Sequence, residues 1–473
     1  MPSEILPGRP GNLTPEQEQK LRELWALTLR IIGVIEAPVP TPSTEANGGA
    51  TPETASGSPE TKKKKGRLSF FSKKSKDSHD DSDSPAPSGT STPSADLSDI
   101  IDDSEDKHGT HAAFRAALAA HTPEEMRTAF WSFVKHDHPD GLLLRFLRAR
   151  KWDVNAALVM LVATMQWRMT DSHVDDDIML RGEEYALKEA KSSEAARKKE
   201  GDDFLAQLRM GKSFLHNFDK EGRPLCFVRV RLHKQGEQSE ASLERYTVYT
   251  IETARMFLAP PVDTATIVFD MTSFSLANMD YTPVKFMIKC FEANYPESLG
   301  AVLVHKAPWV FSSIWSIIRG WLDPVVAGKV HFTKTVEDLE QYIAKDQIPK
   351  ELGGTEEWEY SYPEPVEGEN KTMEDTATKS QLQQDRKSLT EKYEHLLKAW
   401  VKEETSMDDA RKERDAAALQ LKDNYWKLDP YVRARSVYDR IGALTKFTSA
   451  GKIPTAEKTA DVPAQETSQD DLD

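Results

Sequence analysis

Between residues 265 and 329 two apolar runs flank a helical pattern. Residues 265–270, Ala-Thr-Ile-Val-Phe-Asp, end in an acid. Residues 301–305, Ala-Val-Leu-Val-His, follow the turn Tyr-Pro-Glu-Ser-Leu-Gly at 295–300. Two buried strands joined through a helix form a parallel pair, and its crossover must pack on one face of the sheet. No other stretch restricts the fold as much. Residues 307–322 then carry Trp309, Phe311, Trp315 and Trp321 with a single charge, Arg319, before Asp-Pro-Val-Val-Ala-Gly-Lys at 323–329. Strands are predicted at 213–218, 224–232 and 330–332, and helices at 241–257 and 335–344. Strands thus alternate with helices, and the expected class is α/β.

The rest of the chain reads as scaffold, tether or partner surface. A net charge of −15 argues against nucleic acid as a partner. Only 38% of the 473 residues are hydrophobic, so long parts are expected to lie outside any packed core. Residues 36–109, rich in Pro, Ser, Thr, Asp and Lys, are expected to be a disordered insertion. Within it Lys62, Lys63, Lys64, Lys65, Arg67, Lys73, Lys74 and Lys76 surround Leu68, Phe70 and Phe71. Such a patch adsorbs to anionic lipid at about 1 kcal/mol per basic residue, and phosphorylation of Ser69, Ser72 or Ser75 opposes this. A solvated charge run or a nuclear-import signal are the alternatives.

Cys226 and Cys290 offer neither a disulfide framework nor metal-ligand spacing, and no cofactor is expected. Met1-Pro-Ser-Glu lacks the basic flank and apolar core of a signal peptide. No run of about 18 apolar residues exists to span a membrane. A reducing, cytosolic setting fits.

Thr14 and Pro15 start a short helix with the apolar stripe Leu21, Leu24, Trp25, Thr28 and Ile31. Further helices are expected at 111–120, 123–135, 141–150 and 154–169. Arg145, Arg148, Arg150 and Lys151 load the third with positive charge, which serves either the helix dipole or an anion. Residues 175–203, highly charged, read as an exposed, partly helical connector. Arg-Met-Gly-Lys-Ser at 209–213 is no phosphate loop, because Ala206 stands where a glycine is required. Near the C-terminus Leu382, Leu389, Tyr393, Leu396 and Trp400 recur at helical spacing, as do Ala410, Ala417, Leu421, Tyr425 and Leu428. A third helix is expected from Pro430. These segments are expected to form a helical hairpin or short coiled segment that packs on the main domain, with self-association or binding of a protein partner as the alternatives. The expected divisions are 1–35, 36–109, 110–203, 204–356, 357–378, 379–446 and a loose tail at 447–473.

The helix at 142–154, Leu-Leu-Leu-Arg-Phe-Leu-Arg-Ala-Arg-Lys-Trp-Asp-Val, resembles that of the CRAL-TRIO lipid-binding family. So do Phe-Asp-Lys-Glu-Gly-Arg-Pro at 218–224, Tyr-Pro-Glu at 295–297, Leu-Asp-Pro at 322–324 and Lys-Glu-Leu-Gly-Gly at 350–354. Residues 6–13 resemble the start of the fungal phosphatidylinositol-transfer branch. The likeness covers about 6–35 and 110–355 and leaves out the insertion and C-terminal helices. It implies a helical N-terminal lobe, a mixed sheet flooring an apolar pocket, and a mobile gating helix at 308–322. Val310, Phe311, Ile314, Trp315, Ile318 and Trp321 then face lipid, and Ser312, Ser313, Ser316 and Arg319 face outward. Moving two acyl chains into water costs on the order of 20 kcal/mol, at ~0.8 per methylene, so a carrier must enclose them. A buried core helix is the plain alternative.

By the same resemblance Glu297 and Lys329 hold an inositol-lipid headgroup, with Arg150 and Lys151 contributing; a Glu–Lys pair that merely fixes the loop is the alternative. A threonine that accompanies this lysine in the family is Val326 here. Two tyrosines, a serine and a threonine that bind choline phosphate match Leu215, Cys226, Ala265 and Ile267, so all four hydroxyls are missing. The expected ligand is phosphatidylinositol with little phosphatidylcholine, carried or presented transiently at membrane surfaces. The implied location is cytoplasmic, peripheral to endoplasmic reticulum, endosome or Golgi. Another apolar ligand such as a sterol or porphyrin, or a scaffold working through the C-terminal helices, remain open. No nucleophile elbow or metal constellation suggests an enzyme.

Overall fold

The computed structural model describes residues 4–36 and 106–450. The basic patch at 62–76, nearly all of the insertion, and residues 451–473 lie outside the described residues. Among the described residues one five-stranded sheet forms, in the order β1 (Ser213–Phe218), β2 (Pro224–Arg229), β3 (Ala265–Asp270), β4 (Leu299–His305) and β5 (Val330–Thr333). β1 and β2 are an antiparallel hairpin, and β2 through β5 run parallel. The hairpin turn is built by Asp219, whose Oδ1 accepts from the amides of Glu221 and Arg223, each at 2.9 Å. Gly222 supplies the left-handed backbone there, at φ 77°. Each parallel connection crosses through a helix: Glu240–Arg255, Tyr281–Lys289 and Phe311–Arg319.

Strand side chains alternate between the two faces. Phe214, Leu225, Phe227, Val268 and Leu303 pack under Leu339, Ile343, Ile348 and Leu352. Their neighbours Leu215, Cys226, Ile267 and Val302 form a second cluster with Met256 and Phe257. That cluster also takes in Val437, Tyr438, Leu444 and Phe447.

A helical lobe surrounds a third core. It contains the helices Pro15–Ile31, Thr110–Ala120, Pro123–Val134, Pro139–Ala149 and Val154–Gln166. The hairpin of Thr376–Val401 and Met407–Val432 belongs to the same core through Tyr393, Leu397, Trp400, Ala417 and Leu421. Asp140 ties three elements together by accepting from Trp25 Nε1 (2.8 Å), Tyr393 Oη (2.8 Å) and Arg414 Nε (3.0 Å).

Several expectations change. Pro430 does not open a helix; it sits in the last turn of Met407–Val432, where it forfeits a single backbone bond, and the next helix is Val437–Arg440. The tail is not loose from 447, because the helix Ala443–Ala450 runs through that point and Phe447 is buried. Residues 175–203 are partly helical, as expected, and largely exposed over 191–200, but 178–190 are mostly buried or half-buried. Met179–Glu189 and Ala195–Arg209 are helices, Ile178 and Met179 turn inward, Leu180, Tyr185 and Leu187 are half-buried, and Phe204 just beyond is buried.

Two buried histidines make stability depend on pH. Burial pushes the imidazoles of His136 and His305 down to about 4. Between pH 6.5 and 4 the unfolded chain binds protons that the folded chain refuses, so stability falls as pH drops through that window. The loss is up to about 3 kcal/mol per group. The melting temperature should be several degrees lower at pH 4.5 than at pH 6.5, and His136→Gln should flatten the slope. A pH-independent melting temperature would contradict this.

Candidate lipid-binding site

The parallel strands leave one face free beside the C-terminal segment, and a cavity of about 230 Å³ opens on it. Its floor is Ile267, Phe269, Leu299, Val302, Val304 and Val330. Its roof comes from the helix Phe311–Arg319, whose 3.6-residue period turns Phe311, Trp315 and Ile318, with Leu322 beyond, to one side. Ser312, Ser313, Ser316 and Arg319 occupy the exposed side. The helix is anchored mainly by Phe311 and Ile314, which pack with Met271 and Val304.

A second cavity, of about 560 Å³, adjoins the first at the amino ends of β4 and β5. Phe291, Leu299 and Val326 line both. Here the structure brings together Arg150, Lys151, Glu297 and Lys329. Lys329 Nζ stands 3.9 Å from Glu297 Oε2, and each side chain keeps about a quarter of its surface in solvent, 23% and 24%. Strand register accounts for the pairing: Val302 N donates to Lys329 O (2.8 Å), which sets the residue before β5 beside the start of β4. Arg145 fixes the backbone of Glu297 by donating to its carbonyl at 2.9 Å. Arg150 is half-buried, and among the described residues neither it nor the exposed Lys151 forms an ion pair. Burial pulls the Arg150 guanidinium below its usual pKa. The mouth therefore holds cations with spare donors beside the carboxylate of Glu297, with Asp106, Asp153, Glu292 and Asp323 also in its lining, a donor set suited to a phosphodiester beside a polyol.

Not every expected pocket residue lines the apolar cavity. Ile267, Phe311, Trp315, Ile318 and Val326 do. Ile314 packs behind the roof, and Trp321 lies edge-on to Tyr281 with Lys285 Nζ 4.8 Å above its ring. Val310 and Ala265 border neither cavity. Leu215 and Cys226 are shut off by the C-terminal segment. Leu215 N donates to Tyr438 Oη at 2.7 Å, and the Phe257 ring meets Tyr438 at 5.6 Å and Phe447 at 5.5 Å. Burial pushes the Cys226 thiol up to about 12, so it is an inert apolar group.

Sequence reasoning missed the clasp at the mouth. Glu292 accepts from Lys107 Nζ (2.7 Å) and from the amide of Asp323 (2.6 Å), and it meets His108 Nε2 at 2.8 Å. Lys107 also donates to the carbonyl of Trp321. The end of the insertion is thereby fastened to the end of the roof. The Asp-Lys-His run at 106–108 was assigned to the insertion because its composition matches it. The one local signal is Asp106, which accepts from the amides of Thr110 and His111 and so starts the next helix.

Comparison with known proteins adds an independent line. Residues 208–354 match the CRAL/TRIO domain, and residues 111–163 match the CRAL/TRIO N-terminal domain. A CRAL-TRIO domain-containing protein of Schizosaccharomyces pombe is 47% identical over 340 residues, covering 72% of this chain and 73% of its own. A phosphatidylinositol transfer protein, CSR1 of Eremothecium gossypii, is 44% identical over 319 residues, covering 67% of this chain and 70% of its own.

Proposed function

Because the chain belongs to the CRAL-TRIO lipid-binding family, we propose that it encloses phosphatidylinositol, with little phosphatidylcholine, and carries or presents it at membranes. The observation that carries this reading is the junction of two cavities: a hydrocarbon-lined one and a polar mouth holding Arg150, Lys151, Glu297 and Lys329. Lys329 and the two other cations meet the phosphodiester, and Glu297 accepts inositol hydroxyls while balancing Lys329. The similar protein named as a phosphatidylinositol transfer protein supports the ligand. Discrimination against choline lipid follows from the missing hydroxyls: Ile267 in the cavity floor offers none, and Leu215 and Cys226 offer none and lie outside the cavity beside Tyr438.

The roof is a gate in this reading. A cavity of about 230 Å³ is small for two acyl chains, so loading requires the helix Phe311–Arg319 to swing outward. The same rim exposes Trp309 (88%), Ile317, Val325 and Phe332 to solvent. An apolar group of this kind beside a ligand opening suits transient contact with a bilayer, here one of the endomembranes. No helix among the described residues is long and apolar enough to cross a membrane. The C-terminal hairpin spends its apolar face inside the helical lobe, which favours a lipid carrier over a scaffold.

Native mass spectrometry of the freshly isolated protein tests the proposal. Wild type should carry phosphatidylinositol at near one per chain. Glu297→Ala and Lys329→Ala should each lose about 1.5–3 kcal/mol of binding, ~10- to 150-fold in affinity, with near-ultraviolet dichroism unchanged. Retention of the lipid by both variants, or abundant phosphatidylcholine in wild type, would sink it.

A further inference from the structure

The apolar cavity has a second polar end. The parallel strands set their amino ends at the Glu297–Lys329 mouth, and their carboxyl ends lie about 20 Å away, at ~3.3 Å per residue. Lys212 precedes the antiparallel β1 and therefore sits at that far end, where its carbonyl accepts from Arg229 N at 2.9 Å. Its side chain belongs to the cavity lining, yet the residue is only 6% exposed. The ammonium donates to Gln238 Oε1 at 2.8 Å, and among the described residues it forms no ion pair.

Three neighbours in the same lining share this end. His233 Nε2 meets Asp280 Oδ2 at 3.2 Å, and Gln207 Oε1 is a buried acceptor without a partner. An ammonium has three donors, of which Gln238 takes one, and the carboxylates of Glu237, Asp280 and Asp203 favour its charge from beyond ion-pair distance. Burial pushes Lys212 down to about 8, which leaves it mostly charged at neutral pH. A buried, unpaired cation in a cleft is the kind of group that functional sites contain.

The surroundings define what completes it. Hydrocarbon walls require a long apolar body. The negative potential that Glu237, Asp280 and Asp203 already lend the ammonium disfavours a further double charge, so a monoanion fits better than a phosphate dianion. We infer that Lys212 anchors the carboxylate of a long-chain monocarboxylic acid whose tail lies along the sheet toward the Glu297–Lys329 mouth. The assignment rests on the reading that this cavity holds lipid chains, but not on the identity of the headgroup at the mouth. Acid and phosphatidylinositol then compete for one cavity from opposite ends.

Fluorescence titration of delipidated, full-length protein with cis-parinaric acid and with its methyl ester tests the assignment. The acid should bind wild type at least tenfold more tightly than the ester, and Lys212→Met should erase that preference. Lys212→Arg should keep it. Equal affinity of acid and ester for wild type overturns the assignment without recourse to any variant, and so does absence of acid binding. A folded Lys212→Met protein that still prefers the acid overturns it as well. Binding of phosphatidylinositol vesicles, measured alongside, separates the two ideas. Acid preference without inositol-lipid binding would uphold Lys212 and refute the headgroup mouth; the reverse result would do the opposite.

Discussion

Replacing Asp140 by alanine is expected to lower the unfolding free energy by about 3–5 kcal/mol, because it leaves Arg414 as an uncompensated buried charge. Burial alone would raise the Asp140 carboxyl, but Arg414 and the surrounding donors outweigh it and hold the carboxyl below the usual range. Arg414 has no escape to solvent; its guanidinium lies 3.7 Å above the Trp400 ring. The substitution also strips an acceptor from Trp25 on the N-terminal helix and from Tyr393 on the hairpin. Both elements should therefore loosen together. Urea denaturation would measure the loss, and protection of the hairpin from proteolysis should fall in parallel. Asp140→Asn keeps an acceptor and should lose less. A cost under about 1 kcal/mol for the alanine variant would show that the three-way junction is relaxed by water or rearrangement.

The second large effect concerns Phe447. Its ring is buried against Phe257 and stacks at 6.2 Å on Phe218 of β1. Phe447→Ala should cost about 3–5 kcal/mol, part of it for the void left in the sheet-face cluster. That void lies beside Ile267 and Val302, which also floor the apolar cavity, so the space available to a ligand should grow. Bound lipid extracted from the variant should shift toward longer or bulkier chains relative to wild type. An unchanged lipid profile in a folded variant would mean that the segment supports the sheet without bounding the pocket. Tyr438→Phe is the milder companion: it leaves the amide of Leu215 without its partner, at about 1–3 kcal/mol.

These effects mark where the sequence was readable. The strands at 213–218, 265–270 and 299–305 stand out because apolar runs are bounded by turn residues, and the period-2 alternation divides their side chains between two faces. The roof helix was legible from its spacing of Phe311, Trp315 and Ile318. Glu297 and Lys329 were singled out by resemblance alone, since nothing local relates residues 32 positions apart, and only register brings them to 3.9 Å. The covering of Leu215 and Cys226 was not legible for the same reason: the C-terminal helices are expected to pack on the main domain, but nothing local tells that Tyr438 and Phe447, roughly 220 residues downstream, meet these two strands. Residues 175–203 misled because their many charges hide a sparse but one-sided apolar set. Lys212 drew attention only as part of a rejected phosphate loop; its burial depends on Gln238 and on the strand after it.

The order of synthesis gives the C-terminal cover a further meaning. A ribosome adding ~5–20 residues per second needs about 6–23 s to travel from Thr333, the end of β5, to Phe447. For that interval the strands and the roof helix have been made, while the part of the sheet face that Val437, Tyr438, Leu444 and Phe447 cover still lacks them. Newborn chains thus pass through a stage in which a chaperone or a first lipid is the sole shield for that surface. Late-arriving Phe447 then seals it from behind.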